Sequence, residues 1–528
     1  MRRRDFLAAS AATLALPAVA RGEKSSVLKH IPFADIPSLD PIFDPAAGPH
    51  GILVFDTLYG QTGPGQGYGA IPQMVAGHTV EPGGKAWKLT LRDGLMFHDG
   101  TKVLARDCVA SIKRWGARDV LGQTLMQRTD ELSAPDDRTI VFRLKEPFGQ
   151  LPVALGKSAG NLCAIMPERL ANTDPYKQIT EVVGSGPFRF KGDEWVHGSL
   201  CVYERFREYK PREDGSPDGT AGPKVVHFDR VEWHIIPDPA TAAAALRAGE
   251  MDWWAYPTPD LIPPLQQDGK ITIQGYPGGF CPFFRPNHLF PPFNNASVRR
   301  ALMGAIDQSE FMTSALGPDR SLWRVPVGFF TPDSPLASDV GLAALTGPRD
   351  YAKVKKELET AGYRGEKIAL LAYAQPFFKE WCSVAAEMMR RVGMDVDYQV
   401  VDFAAAVQRR GSKKPPDQGG WSAFLGAPPG VNFASPATHF LLRGNGEQAP
   451  FVGWPSSPRI EALRDQWLDA PDLDTQKRFA AEIQEQAFID VPYYPLGHVF
   501  GRTAFRSNLT DVLMANGWPV FWNVRREA

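Results

Sequence analysis

The chain has 528 residues, 43% of them apolar and 22% charged, with a formal net charge of −1. That length exceeds what one hydrophobic core spans, so two or three domains are expected, and the composition is that of an ordinary globular protein. The balanced charge, with no basic surplus and no charged block, argues against a nucleic-acid partner or an electrostatic tail.

The first twenty residues read as an export signal. Arg2-Arg3-Arg4 precede Asp5-Phe6-Leu7, a mildly apolar stretch runs to Leu16, and Ala18-Val19-Ala20 offers a small-x-small cleavage site. Arg3-Arg4-Asp5-Phe6-Leu7 is similar to the twin-arginine signal, and the apolar run is too short to span a bilayer. The alternative is an amphipathic N-terminal helix. The mature chain, from about Arg21, is expected in the periplasm. Its five cysteines, Cys108, Cys163, Cys201, Cys281 and Cys382, lie far apart, and no CxxC occurs. An odd count leaves at least one free thiol, and export leaves one or two disulfides open without fixing their pairing.

Leu39-Asp40-Pro41 and Gly51 to Tyr59 read as a loop into a short helix. Trp87, Leu89 and Leu91 alternate with polar residues as a half-buried strand, and Asp93-Gly94 turns the chain. Met96-Phe97-His98 reads as a second short strand, closed by Asp99-Gly100. His98 and Asp99 point to opposite faces of such a strand, so a structural role is favoured over an acid–base pair. A helix follows Thr101 with Val109, Ile112 and Trp115 inward, and Thr139 to Leu144 is another alternating strand.

The run Trp87 to Thr101, W-x-L-x-L-R-D-G-x-x-F-H-D-G-T, with its helix, resembles the solute-binding proteins of bacterial ABC importers, specifically family 5, which serves dipeptide, oligopeptide and nickel systems. Val183-Gly184-Ser185-Gly186-Pro187-Phe188 and Trp195-Val196-His197-Gly198 resemble two further family motifs. Phe206 stands where the family has Asn. Asp238-Pro239 resembles the cap of the family's strand-Pro-Asp-helix block, which Gly249 closes. Asn287, Pro292-Phe293, Val298 to Leu302 and Asp307 match a later motif, and Asn294 or Asn295 caps that helix. Pro492 to Leu496 resembles the closing strand. The resemblance spans nearly the whole mature chain.

Residues Asp350 to Gly362 read as an amphipathic helix, Ile368 to Tyr373 as a strand, Phe378 to Val392 as a helix with Gly393 beyond it, and Met394 to Val400 as a strand. That order implies parallel pairing with a right-handed crossover. Arg409 to Gly420 reads as an exposed loop, and Ile460 to Leu468 and Thr475 to Ile489 as helices. The apolar run Phe280 to Phe284 reads as a buried strand after the Pro277-Gly278-Gly279 turn. Chain crossings near Tyr276–Cys281 and Tyr494–His498 would form a hinge.

The fold class expected is α/β, the two-lobed periplasmic-binding-protein fold, type II-like, of the large cluster with an extra subdomain in lobe one. Lobe one is assigned 23–276 plus 497–528, with 77–182 as its extra subdomain, and lobe two 277–496. No HExxH, Cys/His cluster or GxSxG appears, and Gly63 to Gly69 lack the Lys-Ser/Thr of a phosphate loop. The expected work is therefore binding without catalysis, cofactor or metal. A monomer is expected to capture a peptide-like or other small organic solute and deliver it to an inner-membrane ABC permease. The rivals are a folded-exported periplasmic hydrolase and a sensor docking on a chemoreceptor.

Candidate ligand residues are Trp421, Ser422, Phe424, Arg285, Asn287, His50, Trp323 and Trp454. Arg285 could hold a carboxylate in a bidentate grip, or serve a domain acid structurally. His50, with His288, would suit a metal chelate as in the family's nickel branch, though a lone histidine is commonly structural. In peptide-binding relatives a Gly-Trp pair is followed by an Asp that pairs with the peptide α-ammonium. Here that position falls at or near Phe424, and no Asp occurs from Trp421 through Asn432. An unpaired buried ammonium costs about 3–5 kcal/mol, so ordinary free-amine peptides are not the expected solute unless Asp402 or Asp417 substitutes.

Overall fold

The computed structural model describes residues 26–527 apart from 277, 374, 376, 402 and 450, and the side chains of 403 and 404. The predicted export signal and Asp402 lie outside the described residues. The architecture is two-lobed and mixed α/β. One lobe is built on a seven-stranded sheet in the order Ile271–Gly275, Arg502–Arg506, Trp253–Trp254, Val27–Ile31, Arg230–His234, Leu200–Arg205, Phe188–Phe190. The other is built on a five-stranded sheet in the order Val396–Val401, Ile368–Tyr373, Ala423–Gly426, Phe283–Pro286, Tyr494–Pro495. A four-stranded antiparallel sheet of Val75–Val80, Ala86–Leu91, Thr139–Leu144 and Thr129–Ser133 stands apart, with the helix Ala105–Arg118 against it. Among the described residues no helix is long and apolar enough to cross a membrane.

Alternation and capping chemistry set the local structure. In Ala86–Leu91 the buried side chains are Trp87, Leu89 and Leu91. Asp238 accepts from the Thr241 amide at 2.7 Å and starts the helix Pro239–Ala248, which Gly249 ends at φ 78°. Asn295, not Asn294, caps Ala296–Met303, accepting from the Ser297 amide at 2.9 Å. Ile368–Tyr373 and Val396–Val401 run parallel, Ile368 opposite Val396, joined through the helix Phe378–Arg391, as their spacing requires.

Three segments differ from their sequence patterns. Met96-Phe97-His98 forms no strand; a single bridge between Met96 and Lys102 closes the turn. His98 is buried there, its Nε2 2.9 Å from the Gly186 carbonyl, which ties the turn to Val183–Phe188. Phe280 is an isolated bridge residue, and the strand begins at Phe283. Arg409 and Arg410 end a helix, Phe403–Arg410, rather than opening a loop. Gly184 marks a close approach: a Cβ there would sit 1.9 Å from the Val54 carbonyl oxygen, so the motif needs glycine to dock on the helix Gly48–Val54. Where the sequence motif has Phe206 instead of Asn, a ring packs on His98 at 4.8 Å.

The chain crosses between the sheets twice, and the crossings lie side by side. Phe280 N–H donates to the Val499 carbonyl at 2.9 Å and Val499 N–H to the Phe280 carbonyl at 2.8 Å. His498–Val499 also pairs with Trp323–Arg324. At Gly279, φ is +43° and a Cβ would lie 2.2 Å from the Val499 carbonyl. Gly279→Ala is therefore expected to cost about 1–3 kcal/mol of stability, read as a lowered urea midpoint; an unchanged midpoint would show that the crossing relaxes freely.

Candidate functional site

Between the two sheets lies a cavity of about 900 Å³, at the large end of small-molecule pockets. Its hinge side is a ring cluster. Tyr256 stands 5.9 Å from both Tyr276 and Phe280, and Phe280 is 6.5 Å from Trp518; the Tyr256 hydroxyl donates to the Gly517 carbonyl at 2.6 Å. Phe43, Arg118, Asp119, Lys157 and Tyr176 line it from the first lobe, and Phe377, Trp381, Arg410, Phe440 and Phe451 from the second. Phe377 adopts φ +67°, a conformation unusual for an aromatic residue and a mark of local strain on the cavity wall.

Asp35, Asp44 and Asp119 are the carboxylates on this wall. Asp35 accepts from the Ile36 and Gly198 amides, both at 2.7 Å, and from the Cys201 thiol at 3.3 Å; although burial opposes the charge, these bonds hold its carboxyl below the usual range. Asp119 caps the helix Val120–Arg128 through the Leu121 and Gly122 amides and forms a buried ion pair with Lys157. Asp44 accepts from Ala46 N at 2.8 Å. The cations Arg118, Arg410 and Arg502 face the same space. His30 and His50 also reach it, and burial lowers both to about 3, so they are neutral.

Of the eight sequence candidates, His50 lines this cavity and the other seven do not. His50 is fixed by its Nδ1, 3.1 Å from the Tyr203 hydroxyl. Arg285 is fully buried and donates to the carbonyls of Val452, Leu441 and Pro492, each at 2.9 Å. It fastens loops within its lobe instead of offering a fork to a ligand, and burial lowers it to about 9. The Asn287 amide donates to the Trp421 carbonyl at 3.0 Å and Ser422 Oγ accepts from Ala369 N at 3.0 Å, both ties inside the sheet. Trp421, Phe424 and Trp454 stack in the core, Trp421 5.1 Å from Phe424 and 5.9 Å from Trp454. Trp323 is buried, donating from Nε1 to the Gly317 carbonyl at 3.0 Å under Arg320. The reason is register: Ala423–Gly426 is the central strand, and only Leu425 and Gly426 at its C-terminal end reach the cavity. His288 is likewise spent, with Nε2 3.1 Å from the Pro492 carbonyl.

Sequence reasoning missed Arg118, Arg410 and the Asp119–Lys157 pair. Both arginines close helices, where a cation is ordinary dipole chemistry, so nothing local marked them. All five cysteines are buried free thiols; burial pushes Cys281 and Cys382 up to about 12, far from a reactive thiolate. Among the described residues no group of three or more His, Cys, Asp or Glu could hold a metal ion.

Residues 69–440 match the family described as bacterial extracellular solute-binding proteins, family 5 Middle. A probable peptide ABC transporter periplasmic-binding protein of Sinorhizobium fredii is 34% identical over 537 aligned positions, covering 99% of each chain. The fold is similar to that of the binding protein AgaA of A. tumefaciens R10, solved with agropinic acid (TM-score 0.79, 19% identity, 95% of this chain and 99% of that one). It is also similar to a dipeptide-binding protein of Pseudoalteromonas solved with Met-Leu (TM-score 0.77, 17% identity, 95% and 100%). Two lobes, two adjacent crossings, an interlobe cavity and a family match over most of the chain agree: this chain belongs to the extracellular solute-binding proteins, family 5.

Proposed function

We propose that this protein captures a peptide-like or other small organic solute between its lobes and hands it, chemically unchanged, to an inner-membrane ABC permease. The family is one of transport binding proteins outside the cytoplasm, serving ABC importers. The observation that carries the reading is the cavity of about 900 Å³, walled by both lobes and floored by the paired crossings. Such a floor lets one lobe swing against the other while the sheets stay rigid.

Finer features belong to the same proposal. The protein leaves the cytoplasm folded, a reading supported by Arg3-Arg4-Asp5-Phe6-Leu7. It acts as a monomer. Lobe one comprises 23–276 and 497–528, with 77–182 as a subdomain, and lobe two 277–496; membership of the two large sheets supports that division. The peptide-transport description of the Sinorhizobium relative supports a peptide-like solute.

The test is cargo and closure together. Native mass spectrometry of the full-length protein is expected to show a bound small molecule. Solution scattering is expected to show contraction when that molecule is returned to the emptied protein. No cargo and no contraction with any candidate solute would end this reading; conversion of the cargo would favour an enzyme. Free-amine dipeptides are expected to bind at least roughly a hundredfold more weakly than the true solute, since an unpaired buried ammonium costs about 3–5 kcal/mol. Calorimetric titration with Ala-Ala and Met-Leu checks this, and submicromolar binding of either would refute it.

A further inference from the structure

Resting on the solute-binding reading, we propose that the solute is an organic anion bearing carboxylate groups and no free ammonium, gripped by Arg118 from one lobe and Arg410 from the other.

The first support is an imbalance among the cavity's charges. Each carboxylate on the wall is already committed. Asp35 takes two amides, a thiol and the Trp195 indole at 3.5 Å. Asp119 takes two amides and Lys157. Asp44 caps its own turn. None is left for an ammonium among the described residues. Arg118 and Arg410, by contrast, have no carboxylate partner among the described residues, and the Nε of each is shielded from solvent with no hydrogen-bond acceptor among them. A buried donor without an acceptor costs free energy until one arrives. A carboxylate supplies acceptors in the geometry a guanidinium fork matches.

The second support is how these side chains are held. The Arg118 guanidinium lies 5.0 Å from the ring centres of both Phe43 and Tyr176, and its Nη2 donates to the Phe43 carbonyl at 2.9 Å. Arg410 lies 4.8 Å from the Phe424 ring, beside the Tyr373 hydroxyl. Aromatic walls fix a guanidinium's plane without satisfying its donors, so the fork is oriented before the ligand comes. A simple helix-end role explains a cation at Arg118 or Arg410; it does not explain an acceptor-less Nε in two side chains that both line a cavity. One cation from each lobe also couples closure to charge, because an anion with acceptors at both ends draws the lobes together. Arg502, which donates to the Ser321 carbonyl at 3.1 Å, adds positive potential at the hinge side.

The experiment uses the full chain, freed of cargo, and three calorimetric probes: N-acetyl-Glu-Glu, neutral N-acetyl-Gln-Gln-amide, and the free dipeptide Ala-Ala. N-acetyl-Glu-Glu is expected to bind at least about tenfold more tightly than the others, with affinity falling as salt rises. Arg118→Gln and Arg410→Gln are each expected to weaken it roughly tenfold to a hundredfold, with thermal midpoints near that of the parent. Arg118→Lys, which keeps charge and loses the fork, should recover part of the loss. The inference is overturned if the neutral or free-amine probe binds as tightly as the anion, if both glutamine variants leave anion binding intact, or if natively retained cargo proves neutral or cationic. Amine binding abolished by Asp402→Asn would overturn it in favour of that acid. Those outcomes leave solute capture standing; failure of every probe together with no retained cargo would remove the parent reading as well.

Discussion

Acidification from pH 7 to pH 5 is expected to remove most of this protein's stability. Burial lowers His30, His50 and His439 to about 3 and His98 to about 4, and pushes His288 well below its ordinary value. His30 shows why: it sits among Trp233, Trp253 and Phe521 at ring distances of 5.0 to 5.9 Å, where a charged imidazolium would lose its hydration. These histidines are neutral in both states well above pH 6.5 and cost almost nothing there. Below that value the unfolded chain takes up their protons and the folded chain does not, so stability falls as pH falls, until the folded values near 3–4 are reached. At pH 5 each such group costs about 2 kcal/mol, and the five together cost on the order of 10 kcal/mol, against a total stability of roughly 5–15 kcal/mol. Asp107 and Asp465, raised by burial, act in the opposite direction. Urea midpoints followed by tryptophan fluorescence are expected to drop steeply between pH 6.5 and 5. His98→Gln and His439→Gln should each flatten that slope by about one proton. A midpoint constant from pH 7 to 5 would show that the histidines titrate normally.

The scaffold was legible because its signals are local. Asp238, Asp350 and Asn295 cap where their chemistry says, Gly249 and Gly362 stop helices at positive φ, and Trp87-Leu89-Leu91 alternate in a half-buried strand. Met96–His98 was misread because three apolar-rich residues fit a strand or a turn equally, and only the long-range tie of His98 to Gly186 decides. The candidate site was much less legible. A motif such as Gly420-Trp421 gives a sequence position but not which end of its strand faces the cavity, and Trp421 turned inward with its Nε1 on the Arg410 carbonyl at 3.0 Å. Arg285 and Arg118 look alike in sequence. One found three backbone carbonyls inside a lobe and the other an aromatic sandwich at its edge, a difference made by residues 58 to 207 positions away.

Asp40→Ala is expected to be the most damaging single substitution behind the first lobe's cavity wall. Asp40 and Arg114 form a bidentate pair at 2.7 and 3.1 Å with both side chains essentially inaccessible. The carboxylate also accepts from the amides of Ile42 and Phe43, each at 3.1 Å, and of Ile179 at 3.0 Å. Arg114 in turn donates to the Thr173 and Lys177 carbonyls. Three stretches therefore meet at one ion pair: the turn carrying Phe43, the segment around Tyr176, and the helix that ends in Arg118. Removing the acid leaves a buried guanidinium and three amides without their acceptor, a loss of about 3–5 kcal/mol. Arg114→Met in the same background should restore part of that, because no buried charge remains to be compensated. Additive losses in that double-mutant cycle would mean that the pair is hydrated and weak. The cycle also reaches function. If Asp40 holds Phe43 and Tyr176 around Arg118, Asp40→Asn should weaken anion binding although it adds no charge to the cavity and removes none that faces it. Retained affinity in a destabilised Asp40→Asn protein would separate the strength of this wall from its role in orienting the guanidinium.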